Sequence, residues 1–243
     1  MENFDRIARE ADAFRPVLDE AKTARPVDFP WYPYDTMSNF PALAPLMTEE
    51  VDSMFGGGKR FADIGAADGA LAYYLESRGN AVDIYDYGPT NYNNLRGARH
   101  LKTVFDSKVN IHEIDLDSQF SLSGEYDFVF FLGILYHLKN PYYILESLAK
   151  RAKYMAVSTR VVKHFKTGAP DVTSYAAAYL VSPTESNNDH TNYWMFTDAG
   201  LKRIFDRTGW QVLSYRTVGD VTASNPQDAD HDERAFAVLK SIY

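Results

Sequence analysis

Phe61-Ala62-Asp63-Ile64-Gly65-Ala66-Ala67-Asp68-Gly69, running on into Ala70-Leu71-Ala72-Tyr73-Tyr74-Leu75, is the stretch on which the reading of this 243-residue sequence turns. The apolar residues before Gly65 suit a short buried strand, and those after Gly69 suit a helix. Between them lies a tight acidic turn of small side chains. A helix entered through such a turn points unpaired backbone N–H groups, and a partial positive charge, at whatever sits above it. Small residues let a ligand touch the backbone, and an acid inside the turn can hold a cationic or hydroxyl-bearing group. The stretch outlines a nucleotide or nucleoside site.

The spacing narrows the ligand. A dinucleotide fold wants G-x-G-x-x-G, but after Gly65 the second and third slots hold Ala67 and Ala70. The pattern acidic-x-Gly-x-Gly-x-Gly finds Asp63, Gly65 and Gly69 and misses only at Ala67. On these residues the chain resembles the class I S-adenosylmethionine methyltransferases, of whose first cofactor motif this is the pattern. The resemblance implies that Asp63, Gly65, Ala66 and Gly69 form the cofactor turn.

Working outward, residues 81–85 form a second strand running into Asp86, about 20 residues past the turn. In doubly wound nucleotide-binding sheets this position carries the acid that accepts from the ribose hydroxyls. A carboxylate suits it, being acceptor-only and able to take two hydroxyls at once. Tyr87 follows, placed to lie along an adenine. A polar helix is expected over 91–105 and a third strand over 109–114. Asp115 ends that strand and fits the family pattern better than Asp117. The resemblance gives its carboxylate the adenine amino group and the Leu116 N–H a ring nitrogen. The fourth strand, 125–132, is almost continuously apolar and so central and covered on both faces. Its exit, Leu132-Gly133, is the fourth cofactor marker of the family.

The rest of the chain supplies the acceptor side. Asp-Ile-Gly-Ala-x-Asp-Gly, then Leu132-Gly133-Ile134-Leu135-Tyr136-His137-Leu138, and later Asn192-Tyr193-Trp194, are similar to the branch that contains the bacterial tRNA wobble-uridine carboxymethyltransferase and many uncharacterised relatives. That enzyme uses a carboxylated cofactor. No set of basic and hydroxyl residues for its extra carboxylate stands out in the sequence, so ordinary S-adenosylmethionine, leaving as S-adenosyl-L-homocysteine, is the implied cofactor. Residues at strand exits face the ligand in such sheets. His137 is the candidate general base, since an imidazole with a free pKa of about 6.5 can take a proton near neutrality. The other reading is that Tyr136 and His137 only shape the pocket. Arg160, at the end of a fifth strand over 154–159, either binds an anionic group of the substrate or pairs with a local acid. Asn192, Tyr193 and Trp194 line the acceptor pocket or, for Trp194, close the core. His190 and His231 adjoin Asp189 and Asp232 but share no ligating spacing on one element, so no metal is expected.

Beyond these strands come helices over 141–150 and 197–208 and final strands over 210–215 and 235–240, joined by a polar loop instead of a helix. Alternating strands and helices argue a parallel sheet, and the last pair argues an antiparallel edge hairpin. The expected fold is α/β: a doubly wound, mostly parallel seven-stranded sheet of Rossmann-like methyltransferase type with an antiparallel terminal hairpin. Residues 1–58 form an N-terminal helical and aromatic arm. In it, helix over 4–24 breaks into two pieces at Pro16, an extended segment carries Phe29, Trp31, Tyr32 and Tyr34, and a helix covers 41–55. Residues 59–243 form the cofactor-binding domain, with a substrate-covering insertion over about 163–195.

Composition bounds the partners. The net charge of −8 opposes a broad electrostatic grip on nucleic acid. There are no cysteines, which removes disulfides and thiol catalysis. No apolar run approaches the roughly 20 residues of a membrane helix, and the acidic N-terminus is unlike a targeting peptide; a cytoplasmic protein with no membrane partner is expected. The reading is a methyltransferase that moves a methyl group to an oxygen or nitrogen of a small-molecule acceptor. The alternative is a tRNA wobble-uridine methyl- or carboxymethyltransferase. Homodimerisation is left open by the sequence.

Overall fold

The structure, a computed structural model, describes residues 2–243. It divides into two compact units, Met1–Phe130 and Phe131–Tyr243.

The first unit opens with α1 (Glu2–Thr23), a single helix that runs through Pro16. The expected break is absent because one face of the helix, Phe4, Ile7, Ala11, Leu18 and Ala21, is buried along its whole length. The phenol of Tyr74 also donates to the Ile7 carbonyl at 2.6 Å. This tertiary anchoring outweighs the local cost of proline, about 3 kcal/mol. The helix expected over 41–55 is instead a chain of short turns: α2 (Phe40–Leu43) and α3 (Glu49–Asp52), flanked by 3-10 pieces. Phe40 and Phe55 drop from these turns onto Phe130 and Phe61, with ring centroids about 6 Å apart.

Four parallel strands follow: β1 (Arg60–Ile64), β2 (Ala81–Asp86), β3 (Asn110–Glu113) and β4 (Tyr126–Leu132), in the order β3-β2-β1-β4. Helices α4 (Ala70–Ser77) and α5 (Arg96–Val104) lie between β1, β2 and β3 in the chain. The α5 helix starts five residues later than expected. The Asn91 side chain accepts from the backbone N–H groups of Asn93 and Leu95, and Asn94 and Leu95 take positive φ, so the asparagine run turns the backbone instead of coiling it. Buried Asp83 ties four elements together, accepting from Arg60 at 2.7 Å, from Asn110 at 2.6 Å and from the Tyr126 hydroxyl.

The second unit contains α6 (Pro141–Ala149), β5 (Ala152–Val161), β6 (Ala178–Leu180), β7 (Trp194–Phe196), α7 (Asp198–Arg207), β8 (Trp210–Gly219) and β9 (Glu233–Ser241). Thr197 caps α7 as expected, its hydroxyl accepting from the Gly200 N–H. β9 lies between β5 and β8 and is antiparallel to both, which is the terminal hairpin. Nine strands form instead of the seven expected. The extra pair, β6 and β7, are antiparallel partners within the insertion, and β7 runs parallel to β5. At three residues each they are too short to show alternation in the sequence. The α/β class, parallel strands and terminal hairpin are as the sequence implied. Among the described residues no helix is long and apolar enough to cross a membrane.

Candidate functional site

In the first unit the turn after β1 is built as its composition suggests. Gly65, Ala67 and Gly69 all take positive φ, +70°, +55° and +78°. A Cβ on Gly69 would sit 2.9 Å from both Ile84 Cδ1 and the Tyr73 ring, so only glycine fits. Ala67 accepts the left-handed conformation in spite of its methyl group. The Gly65 N–H donates to the Tyr85 carbonyl at 2.8 Å, pinning the turn to the end of β2.

Two buried carboxylates meet there. Asp63 is 1% exposed, and its Oδ2 has no hydrogen-bond partner. Burial, then the charge of Asp86, raises its pKa to about 8. Asp86 accepts from its neighbour Tyr87's N–H at 2.7 Å and from Asn91 Nδ2 at 3.0 Å. Burial nevertheless lifts its pKa to about 6, against the lowering effect of these bonds. Asp115 is brought to the same edge, because the adjacent Ile114 N–H donates to the Asp86 carbonyl. Its own carboxylate closes a local turn, accepting from the Asp117 N–H at 2.9 Å and from the Ser118 hydroxyl. Leu116 is buried.

The aromatic arm reaches these residues, and the sequence did not reveal how. Tyr32 donates its N–H to Asp68 Oδ2 at 2.7 Å and accepts from the Tyr92 N–H on its phenol oxygen at 2.8 Å. Asn93 Nδ2 bridges Asp68 Oδ1 and the Pro30 carbonyl. Burial raises the Tyr32 phenol to about 12, with contributions from the charges of Asp86 and Asp68. A cleft of about 150 Å³ remains beside Ala67 and Asp68, bounded by Arg15, Lys22 and Tyr34. Asp68, Asn91 and Asn93 are the polar residues missed here; the only signal was their density around the turn and before α5.

In the second unit Gly133, at φ +74°, leads out of β4 and donates to the Ser158 carbonyl at 3.0 Å. A 3-10 turn, Leu135–His137, sets Tyr136 and His137 side by side with ring centroids 4.1 Å apart. The Tyr193 N–H donates to the Tyr136 carbonyl at 2.8 Å, which lays the end of the insertion along this turn. His137 Nδ1 then faces Thr191, 2.9 Å from its hydroxyl and 3.1 Å from its carbonyl. The Thr191 hydroxyl donates to Asp189 at 2.6 Å. Burial lowers the His137 pKa.

Arg160 is not the unpaired cation that the sequence allowed. It is buried, its Nε donates to Asp232 at 2.5 Å, and its Nη1 donates to the Ser186 hydroxyl. Asn192 joins the same cluster: its Nδ2 donates to Ser186, while its buried Oδ1 has no partner. Trp194 and Tyr193 turn toward Lys139: the indole N–H donates to the Lys139 carbonyl at 3.3 Å, and the ammonium lies 5.6 Å from the Tyr193 ring. Arg234 was missed because a lone arginine at the start of a strand carries no pattern. Its guanidinium lies 5.5 Å from the Tyr136 ring and donates to the Tyr136 hydroxyl at 3.4 Å. Among the described residues no three acids or histidines gather as a metal site.

Among curated proteins, no sequence matches. Solved structures share the fold. An S-adenosylmethionine dependent methyltransferase from Mesorhizobium loti is similar at 15% identity and a TM-score of 0.61, over 84% of this chain and 97% of that one. The N-terminal domain of EvdMO1, crystallised in the presence of SAH and D-fucose, is similar at 16% identity and a TM-score of 0.57, over 93% and 96%. A methyltransferase from Methanosarcina mazei is similar at 14% identity and a TM-score of 0.53, over 80% and 98%. At such identities the likeness establishes the Rossmann-like fold. The methyltransferase-domain family model matches residues 40–215, which include the glycine turn, Asp86, the β4 exit and the insertion. The chain belongs to the methyltransferase-domain family.

Proposed function

We propose that this enzyme transfers a methyl group from S-adenosylmethionine to a small-molecule acceptor carrying a hydroxyl or amino nucleophile. The observation that carries the cofactor assignment is the pair of buried carboxylates at the ends of β1 and β2, one with an unpartnered oxygen. Buried acids without full hydrogen bonding are costly, and a ligand bearing hydroxyls and an ammonium would relieve them. Asp86 would accept from the ribose hydroxyls, and the turn from Gly65 to Gly69 would pass under the amino-acid tail. Tyr87, Asp115 and Leu116 would border the base. Bound there, the cofactor supplies an electrophilic methyl group on a sulfonium.

The chain's own task is to orient the acceptor; well-placed reactants gain effective molarities of about 10⁵ M or more. His137 is the proton acceptor, a role worth roughly 10²–10⁴-fold. Tyr136, Asn192, Tyr193 and Trp194 line the acceptor's surroundings, and Arg160 holds the cluster together through Asp232 and Ser186. A small acceptor is favoured over tRNA by the net charge of −8. Calorimetry with S-adenosylhomocysteine on the wild type and Asp86→Ala tests the cofactor site. Loss of affinity by at least about ten-fold is expected for removing a carboxylate that accepts two hydroxyls. Unchanged affinity would mean the ribose lies elsewhere.

A further inference from the structure

The insertion does more than cover the β4 exit: it dictates which nitrogen of His137 carries the proton. The Thr191 carbonyl, 3.1 Å from Nδ1, can only accept. The Thr191 hydroxyl, 2.9 Å from Nδ1, spends its own proton on Asp189 Oδ1 at 2.6 Å and so also presents a lone pair to the ring. Asp189 is held in turn by the Thr191 N–H at 2.9 Å. Both groups facing Nδ1 are therefore acceptors. The neutral ring must carry its proton on Nδ1 and its lone pair on Nε2, for which no hydrogen-bond partner exists among the described residues.

We infer that Asp189 and Thr191 are positioning residues that lock His137 in the Nδ1–H tautomer, leaving Nε2 as the base for an acceptor whose nucleophile is a hydroxyl. The inference rests on the methyltransferase reading. Nε2 takes the acceptor's proton as the oxygen forms its bond to the methyl carbon. The electron pair of the broken S–C bond stays on sulfur, and the imidazolium afterwards releases its proton to solvent.

A base at Nε2 serves oxygen more than nitrogen: a hydroxyl must shed its proton as it attacks, whereas a neutral amine attacks with its own lone pair and loses its proton afterwards. Burial and the charges of Arg160 and Arg234, both ion-paired with Asp232, lower the His137 pKa; the Thr191 hydrogen bond and Asp189 oppose them, and the Tyr136 ring lies tilted beside the imidazole.

Imidazole nitrogen NMR on labelled protein, with His137 identified by its loss in His137→Gln, tests the lock without any substrate. The wild type is expected to show a protonated Nδ1 and a bare Nε2 at pH 8. Asp189→Ala frees the Thr191 hydroxyl to donate to Nδ1, and the Nε2–H form should become the major species. Adding Thr191→Val removes that donor, and the remaining carbonyl should restore Nδ1–H. A wild-type ring protonated on Nε2, or a tautomer that ignores both substitutions, overturns the lock. S-adenosylhomocysteine calorimetry on the same variants should be unchanged within about two-fold, since these residues are not assigned to the cofactor; failure of binding in the wild type would instead count against the methyltransferase reading. The acceptor class is tested with labelled S-adenosylmethionine and phenols and hydroxy acids matched one for one with the corresponding amines. Label on the hydroxyl compounds is expected; transfer confined to the amines, or to none of the hydroxyl compounds, overturns it.

Discussion

Asp63 and Asp86 make the ligand-free protein sensitive to pH in a direction opposite to that of an ordinary surface acid. Burial raises both carboxyls, to about 8 and about 6. A carboxyl whose folded pKa exceeds its unfolded value of about 3.9 binds protons more tightly in the folded chain. Its stabilising contribution is greatest when the proton is on and fades as the pH rises through the folded pKa. A ten-fold tighter hold on one proton is worth about 1.4 kcal/mol. The melting temperature of the ligand-free protein should therefore fall between pH 5 and pH 8.5, and Asp63→Asn should flatten that fall. Calorimetric melts at both pH values check it, and an unchanged slope in the variant would exonerate Asp63. Affinity for S-adenosylhomocysteine should run the other way, rising with pH through about 6 as Asp86 becomes a carboxylate able to accept hydroxyls. Gly69 is the second residue with a sharp expectation. Gly69→Ala forces a Cβ to 2.9 Å from Ile84 and the Tyr73 ring at a φ of +78°. A loss of about 1–3 kcal/mol is expected by denaturant unfolding. These residues were legible because acid and glycine at fixed spacing have few alternative meanings. Thr191, Asp232 and Arg234 were not, since each acquires its role only from a partner distant in the chain.

At the scale of elements, the N-terminal arm is the part whose consequence the structure changes most. The sequence showed an extended segment carrying Phe29, Trp31, Tyr32 and Tyr34, whose aromatics must either pack on the core or cover a site. The structure shows its latch, Tyr32 and Pro30 held by Asp68, Asn93 and Tyr92. The latch closes on Asp68, inside the turn assigned to the cofactor, so its opening is expected to set how fast a nucleoside enters. Asn93→Ala cuts two of the latch bonds, so association of S-adenosylhomocysteine by stopped flow should become several-fold faster. An unaltered rate would mean entry does not pass the arm. Strand positions were read well because β1, β2 and β4 are apolar and bounded by turn residues. The unbroken α1 and the late start of α5 were misjudged for opposite reasons. In α1, packing along one buried face overrode a proline. In α5, side chains of Asn91 and its neighbours captured backbone groups that propensity alone assigned to a helix.

For the molecule as a whole, net charge bears on the acceptor. The methyltransferase-domain model matches most of the chain, and the chain carries a formal net charge of −8. Bulk tRNA should show no retention in a gel shift at low or moderate salt; retention that weakens with salt would reinstate an RNA substrate. The α/β class and the family were recoverable from four markers in order along the chain, because a cofactor-binding sheet repeats one geometry at each strand exit. The insertion over about 163–195 was expected from the sequence but its two short strands were not, since they are ordered by partners and not by their own pattern.

The polar knot around Asp83 bears on how the chain finds its pairing. An entirely oily β2 would be content beside any neighbour and at any offset. Asp83 has one address: Arg60, Asn110 and Tyr126 supply its donors together only when β1 and β3 flank β2 and β4 follows beyond β1, all in one alignment. A mispaired sheet would strand a charge away from water, so the knot acts as a proofreader during assembly. Replacing Asp83 with leucine would leave a chain free to settle into the wrong neighbourhood.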